Sequence, residues 1–139
     1  MDFKSLVPDN SVFYSHSFVV KEEAIDNLNH VNNVVYLQWL NDIAEIHWNI
    51  LSTEALRAKY VWVVLRHELD YMNQALLGDE ITVVTWVGQS TGAKSVRHVH
   101  MFKGEIPLLK AASTWCLIDA VSQRPTRIKN DILTLMTRS

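Results

Sequence analysis

The sequence predicts an α+β domain in which one long, mostly apolar helix packs against an antiparallel sheet of about five strands. Two observations carry that expectation. Residues 34–51 are apolar around most of a helical circumference, and residues 61–119 hold successive β-like runs separated by short turns.

The elements follow in chain order. Val12 to Val20 alternates in part, with Val12, Tyr14, Phe18 and Val20 on one face, and predicts a first strand. Asp26 to Asn33 is polar without a period and reads as a loop leading into a helix. From Val34 to Leu51 the polar residues Gln38, Asp42, Glu45 and Asn49 form one narrow stripe, and nearly everything else is apolar. Such a helix must be surrounded rather than laid on a flat surface. Asn32 or Asn33 is expected to cap it, because a side-chain amide oxygen can accept from the free N–H groups of the first turn. Ser52-Thr53 then restarts a short helix over Glu54 to Ala58.

Four strands complete the sheet. In the first of them Val61, Val63, Leu65, Leu69 and Tyr71 are expected on one face, with Trp62, Val64, Arg66, Glu68 and Asp70 opposite. Leu77-Gly78-Asp79 turns into Ile81 to Val87, Gln89 to Gly92 turns into Lys94 to Phe102, and Lys103-Gly104-Glu105 turns into Leu108 to Asp119. These spacings predict an antiparallel meander. Ser122 to Pro125 ends it, and Asn130 to Met136 is expected to form a last short helix.

The 139 residues fit a single domain spanning 1–139, and 48% hydrophobic residues supply a substantial core. A net charge of −2, with Lys and Arg spread thinly, gives no footprint for nucleic acid. One cysteine, Cys116, leaves no internal disulfide and fits a reducing compartment. The apolar stretch at Val61 to Leu65 is far too short to span a bilayer, and Met1-Asp2-Phe3-Lys4 does not open a signal peptide. The expectation is a cytoplasmic protein with no membrane association.

The segment that carries chemistry is Asp26-Asn27-Leu28-Asn29-His30-Val31-Asn32-Asn33, followed by Val34-Val35-Tyr36-Leu37-Gln38-Trp39. It places a carboxylate, an imidazole and several side-chain amides just before the long helix. A helix start offers unpaired N–H groups and the positive end of the macrodipole, which would polarise a thioester carbonyl and hold a tetrahedral oxyanion. A nearby carboxylate could attack that carbonyl or activate a water. Acyl hydrolysis by such a set needs neither metal nor cofactor. Set against this, Asp and Asn before a helix commonly serve as caps or turn formers, His30 can be a hydrogen-bonded structural residue, and Tyr36 and Trp39 can be core.

The segment resembles the signature of the acyl-CoA thioesterases grouped with 4-hydroxybenzoyl-CoA thioesterase. It is also similar to the acyl-carrier-protein thioesterases, which carry a His-Val-Asn-Asn run like His30 to Asn33. Arg66 to Tyr71 with Leu77 to Glu80, and Ala112 to Trp115 with Ile118-Asp119 and Arg124-Pro125, are similar to strands of the same family, so the resemblance spans roughly residues 12–130. It implies the hotdog fold, a five-stranded antiparallel sheet wrapped around one long central helix, and hydrolysis of acyl-CoA or acyl-carrier-protein thioesters. The family's Asp, ten positions before a helix Tyr, maps to Asp26 before Tyr36 as nucleophile or general base. Its oxyanion N–H maps to Asn33, and His30 and Asn33 are expected to order the loop and water. The resemblance further implies a homodimer or homotetramer with the site between subunits.

Other expectations are finer. Tyr36, Arg66, Lys94 and Arg97 are candidate substrate-binding residues; Lys94 and Arg97, with Lys110, lie on late strands and could meet CoA phosphates. Some relatives use a helix Glu instead of the loop Asp, but Glu45 lies in the polar stripe far from the helix start. Hotdog dehydratases carry an Asn-Pro between their Asp and His, and this loop has no proline. His98 and His100 share a strand face but lack accompanying metal ligands, so no metal is expected. Two alternatives stay open: a hydratase or dehydratase, and a non-catalytic binding module for acyl-CoA or an acyl carrier.

Overall fold

The computed structural model describes Phe3 and residues 5–137. Its elements are β1 (Phe13–Val19), a 3-10 turn (Glu22–Ala24), α1 (Asn33–Leu51), α2 (Glu54–Lys59), β2 (Tyr60–Tyr71), β3 (Glu80–Thr91), β4 (Lys94–Lys103), β5 (Ile106–Asp119) and α3 (Asn130–Met136). The five strands form one antiparallel sheet in the order β1-β3-β4-β5-β2. This is the α+β hotdog architecture.

The meander expectation holds for β3, β4 and β5 and fails for β2. That strand pairs with β5 at the far edge of the sheet, not with β3. The reason lies in the Met72–Asp79 linker, which runs away from the strand instead of reversing it. Met72 N and Asn73 N both donate to Leu108 O, Ala75 N reaches the Tyr36 hydroxyl, and Gly78 N donates to Val20 O. A tight hairpin would leave none of these groups in reach.

The expected face assignment of β2 also needs correction. The register with β5 shifts between Val64 and Arg66, a bulge that leaves Leu65 unpaired and reverses the side-chain phase. Tyr60, Trp62 and Val64 point inward before the bulge, and His67 and Leu69 after it. Val61, Val63 and Leu65 are therefore on the outer face, each about half exposed.

Helix α1 is capped as expected, with Asn32 Oδ1 accepting from Val34 N at 3.0 Å. At its other end Ser52 Oγ donates to Trp48 O, and Arg57 Nη1 donates to Asn49 O and Ser52 O. Thr53 Oγ1 then caps α2. The buried face of α1 is Tyr36, Leu40, Ile43, Ala44 and His47, a spacing of three and four that forms one stripe. The expectation that α1 is surrounded is not met within one chain, since Val34, Ile46 and Ile50 stay exposed beside the polar stripe.

The core has two parts on the helix side of the sheet. Around the first half of α1, Tyr36, Leu40 and Ile43 pack with Ile81, Val83, Val99, Met101 and Leu109. Around its end, Trp48 packs with Tyr60, Val87, Leu117, Ile132 and Met136, the last two supplied by α3. A third cluster covers the opposite face, where Phe3, Leu6 and Val7 close over Val84, Trp86 and Phe102.

Candidate active site

Residues 24–32 fold back on themselves. Ile25 and Val31 form an antiparallel bridge, Asp26 N donates to His30 O at 2.8 Å, and Asn32 N donates to Ala24 O at 3.0 Å. The reversal needs a left-handed residue, and Asn29 supplies it at φ 63°; asparagine is among the few side chains that tolerate this region. The Asp26 carboxylate stitches the turn from inside: Oδ1 accepts from Leu28 N at 2.9 Å and from His30 N at 3.2 Å. The turn-forming role set against the chemical one is thus present, and it occupies one oxygen. Oδ2 accepts no hydrogen bond among the described residues.

The start of α1 joins the same loop. Asn32 provides the cap for Val34 N, and Val35 N donates to Asn32 O. The Asn33 N–H, the first of the helix, has no hydrogen-bond partner among the described residues. One free carboxylate oxygen and one free helix N–H therefore sit within a single eight-residue loop.

The β2–β3 linker braces this loop from outside. His30 and Leu76 form an antiparallel bridge, and Val31 N donates to Ala75 O at 3.0 Å. The linker is itself anchored twice. Tyr36 Oη accepts from Ala75 N at 3.0 Å, and Asp79 Oδ2 accepts from Leu76 N at 2.8 Å while Oδ1 meets Lys103 Nζ at 2.9 Å. Burial pushes the Tyr36 phenol up from its ordinary value, so it stays neutral. Burial alone would raise the Asp79 carboxyl too, but Lys103 and the Leu76 N–H hold it below the ordinary value. Leu28, Val34, Tyr71 and Leu76, within the loop, at the helix start or in contact with them, are exposed apolar residues.

The structure brings Asp26, His30 and Asn33 together and disperses the remaining candidates. Tyr36 lies beneath the loop, 1% exposed, with its hydroxyl committed to Ala75. Arg66 is exposed on the outer face of β2 and pairs with Glu68 at 2.7 Å. Lys94 and Lys110 are exposed on β4 and β5. Arg97 points into the protein, where Nη1 donates to His47 Nδ1 at 2.8 Å and to Thr85 Oγ1 at 3.1 Å. His98 stacks on Trp86 and His100 lies tilted against it on the opposite face of the sheet, and no group of potential metal ligands occurs among the described residues.

Arg97 joins polar groups that the sequence reading passed over, Ser113, His67 and His47, in a belt between the two helix-side clusters. Arg97 on β4 faces Ser113 on β5, which faces His67 on β2, with His67 Nδ1 and Ser113 Oγ 2.6 Å apart. His47 descends from α1 to meet Arg97. The signal for His47 was its position in the stripe 36, 40, 43, 47. For His67 no signal existed without the bulge.

Residues 19–135 match the family described as the thioesterase-like superfamily. The chain belongs to that superfamily. No protein of curated function matches it in sequence. Among solved structures, the chain is similar to a thioesterase of Thermus thermophilus complexed with coenzyme A and zinc, at 22% identity and a TM-score of 0.78, covering 88% of this chain and 90% of that one. It is similar to the 1,4-dihydroxy-2-naphthoyl-CoA thioesterase of Synechocystis, at 13% identity and a TM-score of 0.78, covering 89% and 95%. A probable thioesterase of Escherichia coli matches at 19% identity and a TM-score of 0.78, covering 89% and 98%. All three likenesses show the hotdog fold for this member of the superfamily.

Proposed function

We propose that this protein is a thioesterase that hydrolyses acyl-CoA or acyl-carrier-protein thioesters to a free acid and a thiol. The observation that carries the reading is the pairing of a free Asp26 Oδ2 with a free Asn33 N–H in one loop at the start of α1. A thioester carbonyl oxygen taken by the Asn33 N–H would develop its negative charge at the positive end of the helix. Asp26 then either attacks the carbonyl carbon, expelling the thiolate and leaving an anhydride that water hydrolyses to the free acid, or takes a proton from a water that attacks the carbonyl, after which the thiolate leaves. His30 and the Asn33 side chain order the loop and its water. The exposed apolar residues around the loop suit an acyl group, and Lys94 suits a phosphate at the surface.

The working unit in this proposal is a homodimer, or a pair of homodimers. Its support is the bare outer edge of β2 together with exposed Val61, Val63 and Leu65, since an open apolar edge strand favours pairing with another strand. No helix among the described residues is long and apolar enough to cross a membrane, and the buried, unpaired Cys116 fits a cytoplasmic setting.

A second reading, a binding module without chemistry, draws on the hydrogen bonds that make Asp26 a turn former. Thiol release separates the two. Purified protein is assayed against acyl-CoAs from short to long and aromatic, and against acyl-carrier protein, beside Asp26→Asn. Asparagine keeps an oxygen for Leu28 N and His30 N, so the loop stays folded while the carboxylate is lost. Turnover that falls at least about a hundredfold in the variant supports both reaction and residue. Turnover that survives removes Asp26 from the centre. Acyl-CoA binding without thiol release establishes the binding module.

A further inference from the structure

A cavity of about 380 Å³ lies at the far end of α1 from Asp26, between the helix and strands β2, β4 and β5. Its walls are aromatic and aliphatic, with Trp48, Trp62 and Trp115 joined by Val87 and Met136. Trp48 and Trp62 meet edge to face at 5.8 Å. Into this apolar space the protein sets Arg97, only 7% exposed. No ion pair accompanies it among the described residues. Both hydrogen bonds of its guanidinium leave from Nη1, to neutral partners, so Nε and Nη2 have no protein acceptor among the described residues.

Two more polar atoms in the same wall lack partners. Asn41 Oδ1 and Trp115 Nε1 are both buried without a hydrogen bond. Buried charges are ordinarily paired and buried donors ordinarily bonded, because each has lost its water. A charge, a donor and an acceptor left unmatched around one cavity describe a site whose complement is absent from the chain.

We propose that this cavity binds a small organic acid, with its carboxylate received by Arg97 and an aromatic or branched apolar body packed among Trp48, Trp62 and Trp115. A guanidinium presents paired N–H groups that match the two oxygens of a carboxylate, and the tryptophan faces suit a ring of similar size. The volume admits a single-ring acid. Burial lowers the Arg97 pKa to about 10, which still leaves it charged at neutral pH. Glu45 and Arg57 are exposed on the solvent side of the wall, one of each sign, so the mouth carries no net bias. The proposal is read by binding alone, so its failure leaves the chemistry assigned to the Asp26 loop untouched.

The test uses phenylacetate as the probe and its neutral amide, phenylacetamide, as the control, titrated into the full chain by calorimetry and by NMR of the indole N–H groups. Phenylacetate is expected to bind at least about tenfold tighter than the amide. It should move the resonances of Trp48, Trp62 and Trp115 while leaving Trp39 and Trp86, which belong to other clusters, in place. Arg97→Met should abolish the preference for the acid. Absence of binding, equal affinity for acid and amide, or shifts confined to Trp39 and Trp86 each overturns the proposal. These outcomes are read on the unmodified protein, so they hold even where Arg97→Met fails to fold.

Discussion

Arg97 Nη1 stands 2.8 Å from His47 Nδ1 in the buried middle of the protein, where an always-charged guanidinium donates to an imidazole. The hydrogen bond requires His47 to accept at Nδ1, so the ring is neutral with its proton on Nε2. Tyr14 stacks against the same ring at 5.9 Å. Burial first, and the Arg97 charge second, lower the His47 pKa to about 3.

Acid stability follows from that relationship. Between the ordinary histidine value of 6.5 and about 3, the unfolded chain binds a proton at His47 and the folded chain does not. Stability is therefore full above the unfolded value and is lost as pH falls through this window, about 2 kcal/mol between pH 7 and pH 5 for this residue. His67, His98 and His100, the last at about 4, are lowered in the same direction by burial and steepen the loss. Urea midpoints measured at half-unit pH steps should fall steadily below pH 6.5, and His47→Gln should flatten that fall. An unchanged slope in the variant would place the acid sensitivity elsewhere.

Tyr36→Phe tests the brace beneath the loop. The substitution removes the acceptor of the Ala75 N–H and leaves a fully buried donor unsatisfied. The expected cost is about 1–3 kcal/mol. Because Ala75 O also holds Val31 N, hydrogen exchange should quicken at Ala75 and Val31 together. Loss of stability without local quickening would mean that Tyr36 acts by packing alone.

Gly88→Ala probes the opposite face of the sheet. A Cβ at Gly88 would lie 2.7 Å from His98 Nε2 and 3.3 Å from Val96 O, so the His98 ring has to move off Trp86. A cost of about 1–3 kcal/mol is expected, as for other overpacked sites. Trp86 emission should change with it, and an alanine variant with unaltered emission and stability would show that the ring shifts freely.

The elements were legible because their periods were strong: the three-and-four stripe of α1 and the turns of β3 to β5 stand in the sequence as they stand in the structure. The loop was legible as a place, since Asp26, His30 and Asn33 are close in sequence and had only to be folded once. What escaped was non-local. The position of β2 depends on the linker bonds to Leu108 and Tyr36, and its face depends on a one-residue bulge that no pattern of apolar residues announces. Arg97 read as a surface charge because its acceptors, His47 and Thr85, lie on two other elements.

The bulge also sets the prediction for assembly. By reversing the phase at Leu65 it turns Val61 and Val63 outward at the edge of the sheet, 48% and 45% exposed, where a monomer would carry polar side chains. β1, the other edge, turns Ser15, His16 and Ser17 to solvent and is shorter, seven residues against twelve. Pairing through β2 is thus the association the edges favour, and sedimentation should give a mass of at least twice 16.0 kDa. Val63→Lys puts a charge at the middle of that edge without touching the core, and should shift the protein toward monomer at unchanged monomer fold. If the assembly survives Val63→Lys but yields to Ile46→Lys or Ile50→Lys, the exposed apolar residues of α1 hold it together instead.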